Sequence, residues 1–256
     1  MYTSGEGWRL RVLPDADAMS AAAAERVIAV VRKTPRAAIM LPTGNTPLGL
    51  FDHLVAASNR GDVDLSRVEL YLMDDYLGVT ADDPNSLTGW LQRSLLDRIS
   101  IDPSHVHAIP AAAANPEEAA DAYERELRAR GGLDLAVVGL GPNGHVAFNE
   151  PGSPRDSRTR VLDLTPESIA QASAYWQGAL PIPSQAMTVG VGTLLEAREI
   201  VLIVSGQSKA EILRRTLEEP VGPDVPASWM RLAGSRLDVL VDESAASTLT
   251  QVTRRL

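Results

Sequence analysis

Short apolar runs and longer segments of helical period alternate along this chain. The runs WRLRVL (8–13), AAIML (37–41), VELYLM (68–73), LDLAVVGL (133–140), EIVLIVSG (199–206) and LDVLVD (237–242) are rich in Val, Ile and Leu. Between them, apolar residues recur at helical spacing with a polar outer face. This predicts helices over Ala16–Arg32, Pro47–Ser58, Ser86–Arg98, Pro116–Arg130 and Ser208–Glu218. Each is long enough to cross back over a sheet. Runs that are apolar on both faces suit parallel strands covered by helices on each side, so the rhythm predicts an α/β fold with a doubly wound, mainly parallel sheet. In such a sheet ligands bind beyond the carboxyl ends of the strands, near the point where strand order reverses. The residues just after each run are therefore the ones to read for chemistry.

Composition narrows what that chemistry acts on. A length of 256 residues fits one large domain covering 1–256, and the Pro-rich stretches ALPIPSQ and EEPVGPDVP read as loops within it. Hydrophobic residues make up 45% but aromatics only 4%, so the core is expected to be aliphatic, and no platform for stacking nucleic-acid bases stands out. A formal net charge of −9 opposes nucleic-acid binding, which relies on clustered Lys and Arg. It leaves room for a small anion held by a few local donors. There is no cysteine, which removes disulfides, thiolate nucleophiles and Cys-type zinc sites. The opening MYTSGEGWRLRVLP lacks the apolar stretch of a leader, and no run approaches the roughly 18 residues of a membrane span. The expectation is a soluble cytoplasmic protein with neither nucleic-acid nor membrane partner.

Three strand ends carry distinctive residues. In LPTGNTPLG (41–49), Gly44 permits a tight backbone path, Thr46 suits a helix N-cap and Pro47 the first turn. A helix beginning there would aim free N–H groups at a phosphate or carboxylate, although an ordinary capped junction has the same spacing. No Gly-Lys-Ser/Thr follows, so this is not a Walker loop. In YLMDDYLG (71–78), two acids end an apolar run. If extended geometry persists, one faces the crevice as a candidate base and the other turns away to accept backbone hydrogen bonds. In GLGPNGHVAFNEPG (139–152), His145 is fenced by glycines and followed five residues later by Glu150. That is not the spacing of a helical metal site, and no GxSxG nucleophile is present. An imidazole acting as acid and base, with Glu150 setting its tautomer, fits better. The glycines suggest close approach of backbone to a ligand.

Taken together, LPTGNTPLGL, MDDYLGVTADDPNS, GLGPNGHVAFNEPGSPRDSRTRVLDLTPES, MTVGVGTLLEAREIVLIVSGQSKAE and VPASWMRL, in this order, resemble the glucosamine-6-phosphate deaminase/isomerase branch of the superfamily shared with 6-phosphogluconolactonase. The resemblance spans nearly the whole chain. It implies a Rossmann-like, three-layer α/β/α fold and an enzyme acting on a phosphorylated amino sugar without a redox cofactor or metal. By the same resemblance Asp74 is the base moving a proton between C2 and C1. His145 assists opening of the sugar ring, Glu150 orients it, and Asp75 and Asn143 fall at active-site positions. Gly44, Asn45, Thr46 and Lys209 match phosphate-binding positions. Members occur as monomers and as hexamers, so homo-oligomerisation stays open.

The chain also departs from the pattern. Ala174 stands where an arginine for the sugar phosphate is expected, which removes a bidentate clamp. Lys209 and the helix end would then bind the phosphate alone, or another basic residue replaces the arginine; Arg155, Arg158 and Arg160 are nearby in sequence. Leu87 replaces a usual tyrosine, and Leu162 stands where allosteric members carry lysine. The expected activity is conversion of glucosamine 6-phosphate to fructose 6-phosphate and ammonia. The alternative is dehydration of the N-acetylated sugar phosphate by the same base, with loss of the 3-hydroxyl. A lactonase or a silent sugar-phosphate sensor ranks lower.

Overall fold

The computed structural model describes residues 2–3, 7–173, 176, 182–250 and 253. Its first half runs β1 (Tyr2–Thr3), β2 (Arg9–Leu13), α1 (Ala16–Lys33), β3 (Ala38–Leu41), α2 (Leu48–Asn59), β4 (Glu69–Leu72), β5 (Asp74–Tyr76), α3 (Leu87–Ser94), β6 (Val106–His107) and α4 (Pro116–Ala129). The second half runs β7 (Leu135–Gly139), β8 (Arg160–Asp163), α5 (Pro166–Ser173), β9 (Gln185–Thr188), α6 (Val191–Leu195), β10 (Ile200–Val204), α7 (Ala210–Glu218) and β11 (Leu237–Asp242). Local chemistry marks the helix starts. Asp15 caps α1 by accepting from the Ala18 N–H at 2.8 Å, and Asn115 followed by Pro116 opens α4 with Glu117 and Glu118 in its first turn.

The main sheet has the order β1-β2-β11-β10-β7-β3-β4-β6, and every pairing in it is parallel except that of the short edge strand β1. Alternate side chains of each strand enter opposite layers. Ile39, Leu41, Leu70, Leu72, Leu135, Val137, Val201 and Ile203 pack under α1, α2 and α3. Met40, Tyr71, Ala136, Val138, Leu202 and Val239 pack under α4, α6 and α7. The result is the three-layer, doubly wound architecture that the apolar runs predict. Each aliphatic side chain so buried stabilises the fold by about 1.5–3 kcal/mol. From β3 the strands proceed through β4 to β6 on one side; from β7 they proceed through β10 to β11 on the other. The switch point lies between β3 and β7. Among the described residues no helix is long and apolar enough to cross a membrane.

Two features differ from the sequence reading. The acids Asp74 and Asp75 do not end a parallel strand: after Met73 the chain leaves the main sheet and begins a second, antiparallel one of order β5-β9-β8. Its strands are three or four residues long, too short to register as periodic runs. Over it Tyr76, Phe148, Leu164, Ala172, Trp176 and Ala186 form a separate apolar cluster. The second difference is at α2. Its N-cap position falls on Pro47, not Thr46, and no side chain caps it; the Leu48 N–H returns to the Asn45 carbonyl at 3.2 Å, so residues 45–48 make a turn before the helix proper.

Candidate active site

The carboxyl ends of β3, β4 and β7 open into one cavity of about 920 Å³ beside the switch point. Gly44, Asn45 and Thr46 line it from the turn after β3, Asp74 from the start of β5, His145 from the loop after β7, and Lys209 from the loop after β10. Gly44 has φ +96°, a conformation that L side chains rarely adopt, so only glycine turns the chain there without strain. Asn143, Glu150 and Asp75 lie behind this wall and reach the cavity through their partners.

Pleating separates the two acids. Asp74 pairs with Thr188 and lines the cavity, while Asp75, one residue on, pairs with Met187 and turns away. Asp75 accepts the Leu87 N–H (2.9 Å), the Thr88 N–H (3.0 Å) and the Thr88 hydroxyl (2.9 Å), which ties the first turn of α3 to the sheet. The Asp74 carboxyl is 5% exposed, and its Oδ1 has no hydrogen-bond partner among the described residues. Burial, together with the adjacent Asp75 charge, pushes its pKa up to about 8.

His145 and Glu150 meet through a tight turn rather than a helix face. The Asn149 N–H bonds to the Val146 carbonyl at 3.0 Å, and Ala147 adopts φ +51°, which costs about 1 kcal/mol or more for a residue with a Cβ. The Asn149 side chain offsets this by bonding the carbonyls of Val146 and Val189. The turn returns Glu150 to the imidazole, with Oε2 3.5 Å from Nδ1. Ser168 of α5 brings its hydroxyl within 3.3 Å of the same nitrogen. Nε2 then has no protein partner among the described residues. Asn143 donates to Glu150 Oε2 at 2.7 Å and accepts the His145 N–H at 3.1 Å, and Thr165 donates to both carboxylate oxygens. Burial works to raise the Glu150 pKa, but hydrogen bonds from His145, Ser168 and Asn143 outweigh it and hold it at about 2.

One glycine of this loop, Gly141, makes room for the histidine. A Cβ on Gly141 would come within 2.1 Å of the imidazole, so the ring itself occupies the space that the missing side chain leaves.

The Lys209 ammonium has no hydrogen-bond or ion-pair partner among the described residues, and burial lowers its pKa. Its loop is pinned by Asp242, which accepts the Ser205 hydroxyl at 2.6 Å and the Gly206 N–H at 3.0 Å. Arg155, Arg158 and Arg160 do not line the cavity. Arg158 pairs with Glu196 and Glu124, and Arg160 donates to Asn149 and Ser153. Ala174 lies outside the described residues.

The family model described as glucosamine-6-phosphate isomerases/6-phosphogluconolactonase matches residues 14–239. The chain belongs to this family. It is 38% identical over 240 residues to a glucosamine-6-phosphate deaminase of Rhodopirellula baltica, covering 94% of this chain and 95% of that one. It is 36% identical over 238 residues to one of an Arthrobacter species, covering 93% and 91%. A monomeric glucosamine-6-phosphate deaminase superposes with TM-score 0.90 at 31% identity, covering 93% of this chain and 99% of that one. A 6-phosphogluconolactonase from Trypanosoma brucei shares the fold alone, at 19% identity and TM-score 0.71.

Set in this family, the cavity also contains residues that strand-end reading passes over. Ser168 is one of them and, with Thr165, which does not line the cavity, comes from LTPES, where Thr165 accepts the Ser168 N–H at 3.3 Å as a helix cap; a Thr-Pro-x-Ser start was a legible signal for that helix, though not for its reach to His145. Arg93, Trp90 and Trp176 also line the cavity, from segments with no motif to single them out.

Proposed function

We propose that this family member is a glucosamine-6-phosphate deaminase that releases ammonia and fructose 6-phosphate by isomerising the opened sugar. The observation that carries the reading is the bare, buried Asp74 carboxyl in one cavity with an imidazole backed by an ionised Glu150. The names of its relatives support the substrate. His145 Nε2 takes the proton of the C1 hydroxyl and returns it to the ring oxygen, so the C1–O5 bond breaks and an aldehyde forms. Glu150 and Ser168 keep Nδ1 engaged, which leaves Nε2 as the working nitrogen. Asp74 then removes the C2 proton while the C2 ammonium passes one of its protons to O1, giving an enolamine, and Asp74 delivers the C2 proton to C1. The C2 iminium that results adds water and expels ammonia. Asp74 must be ionised to begin, and an ammonium group on C2 beside it favours that state.

Purified protein incubated with glucosamine 6-phosphate is expected to yield ammonia and fructose 6-phosphate in equal amounts. With the N-acetyl form it is expected to yield neither. An unsaturated aldehyde chromophore from the N-acetyl form, with no ammonia from the free amine, would replace this reading with dehydration.

A further inference from the structure

The cavity's charge is out of keeping with the chain's. Against a net charge of −9, the residues lining it include two cations, Arg93 and Lys209, and one acid, Asp74. Neither cation has a carboxylate partner among the described residues. Arg93 donates one N–H, from Nη2 to the Pro84 carbonyl at 2.7 Å, and this fixes the guanidinium against the wall while its four other donors have no partner among the described residues. Position 174 is alanine and brings no charge.

The fold brings Arg93 to the Gly44–Thr46 side of the cavity by a chain of contacts. Asp75 binds the first turn of α3, and the Ser86 hydroxyl caps it by accepting the Gly89 N–H at 2.8 Å. One turn later Trp90 packs on Phe51 of α2, with ring centroids 5.9 Å apart. Beyond α3, Arg98 pairs with Asp52 of α2 at 2.7 Å. The α3 segment therefore meets the first turns of α2, whose approach is the Gly44–Pro47 turn. Arg93 follows Trp90 at helical spacing of three and shares its face.

We infer that Arg93 is the guanidinium that, with Lys209 and the Gly44–Thr46 turn, holds the phosphate of the substrate and selects phosphorylated over unphosphorylated sugar. This deepens the deaminase reading and rests on it for the identity of the sugar, but anion binding at Arg93 can be measured without turnover. A guanidinium offers paired N–H donors that match two phosphate oxygens, and Lys209, which lines the same cavity, adds a point charge.

Inorganic phosphate binding by calorimetry, on the intact chain and on Arg93→Gln, Arg93→Lys and Arg125→Gln, tests the assignment. Arg93→Gln is expected to weaken phosphate binding by about tenfold or more, Arg93→Lys to restore part of it, and Arg125→Gln, which alters an exposed cation of α4 outside the cavity, to leave it unchanged. Unchanged melting temperatures would show that the fold is retained. In turnover of glucosamine 6-phosphate, Arg93→Gln should raise KM by a similar factor with kcat within a few-fold, and the preference over glucosamine should shrink. Phosphate binding within twofold of the parent in Arg93→Gln, or no phosphate binding to the parent at all, would overturn the assignment. If the parent releases no ammonia yet Arg93→Gln still loses phosphate binding, the deaminase reading fails and the anion site stands.

Discussion

Asp74, at the start of β5, and Glu150, in the turn after β7, are both buried carboxylates, and burial alone drives both toward the protonated form. They end far apart: Asp74 is pushed up to about 8 and Glu150 is held at about 2. Asp74 is the more fully desolvated of the two, and hydrogen bonds offset the burial of Glu150. Glu150 receives Asn143 and Thr165 and faces His145, whereas one oxygen of Asp74 receives nothing from the described residues and a second acid follows it in the chain. One site thus combines a carboxylate held in its charged form beside an imidazole with another shifted toward neutral pH.

Removing the shifted carboxylate should cost most. Asp74→Asn is expected to lower ammonia release by about a thousandfold, the usual scale for losing a positioned acid–base group, while leaving phosphate binding intact. A loss below tenfold would deny Asp74 its role. Glu150→Gln should cost about a hundredfold, mostly in kcat, because the imidazole loses the charge that fixes its tautomer and aim; a change confined to KM would place Glu150 in binding instead.

Acidity sharpens the contrast next. With Asp74 protonated below about 8, kcat/KM of the free enzyme should rise with pH up to that region, by up to tenfold per unit. Stability should move the opposite way. The folded state keeps a proton that the unfolded carboxyl releases near 3.9, so stability is complete below that pH and is lost as pH climbs through about 8. Asp74→Asn removes the dependence. Its melting temperature should overtake the parent's progressively between about pH 4 and pH 8, and parallel curves would show that Asp74 is not held protonated. The smallest effect is expected from Ser168→Ala, a few-fold drop in kcat, since Glu150 still faces Nδ1 when the hydroxyl is gone; a loss as large as that of Glu150→Gln would make Ser168 the principal partner of the ring.

The legible part of this protein was whatever local pattern encodes. The six apolar runs mark six strands of the parallel sheet, and the order reversal between β3 and β7 makes their carboxyl ends the place for a cavity. Illegible were the short antiparallel strands around Asp74, because three or four residues carry too little period to be seen. The Thr46 cap failed because residues 45–48 close a turn first, which moves the N-cap position one residue on, to Pro47. Ser168 and Arg93 were hidden by distance along the chain. One lies 23 residues from the histidine it touches, and the other reaches the cavity only because Asp75 and Phe51 hold its helix in place.

Period, turn chemistry and motif order along the chain were enough to establish the layered fold and the family, and to single out Asp74, His145, Glu150 and Lys209 as candidates. Folding decided which carboxylate is ionised, which imidazole nitrogen is free, and which arginine of several faces the cavity. Those properties depend on desolvation and on partners about 3 Å away that come from remote segments, and no local pattern of residues specifies either.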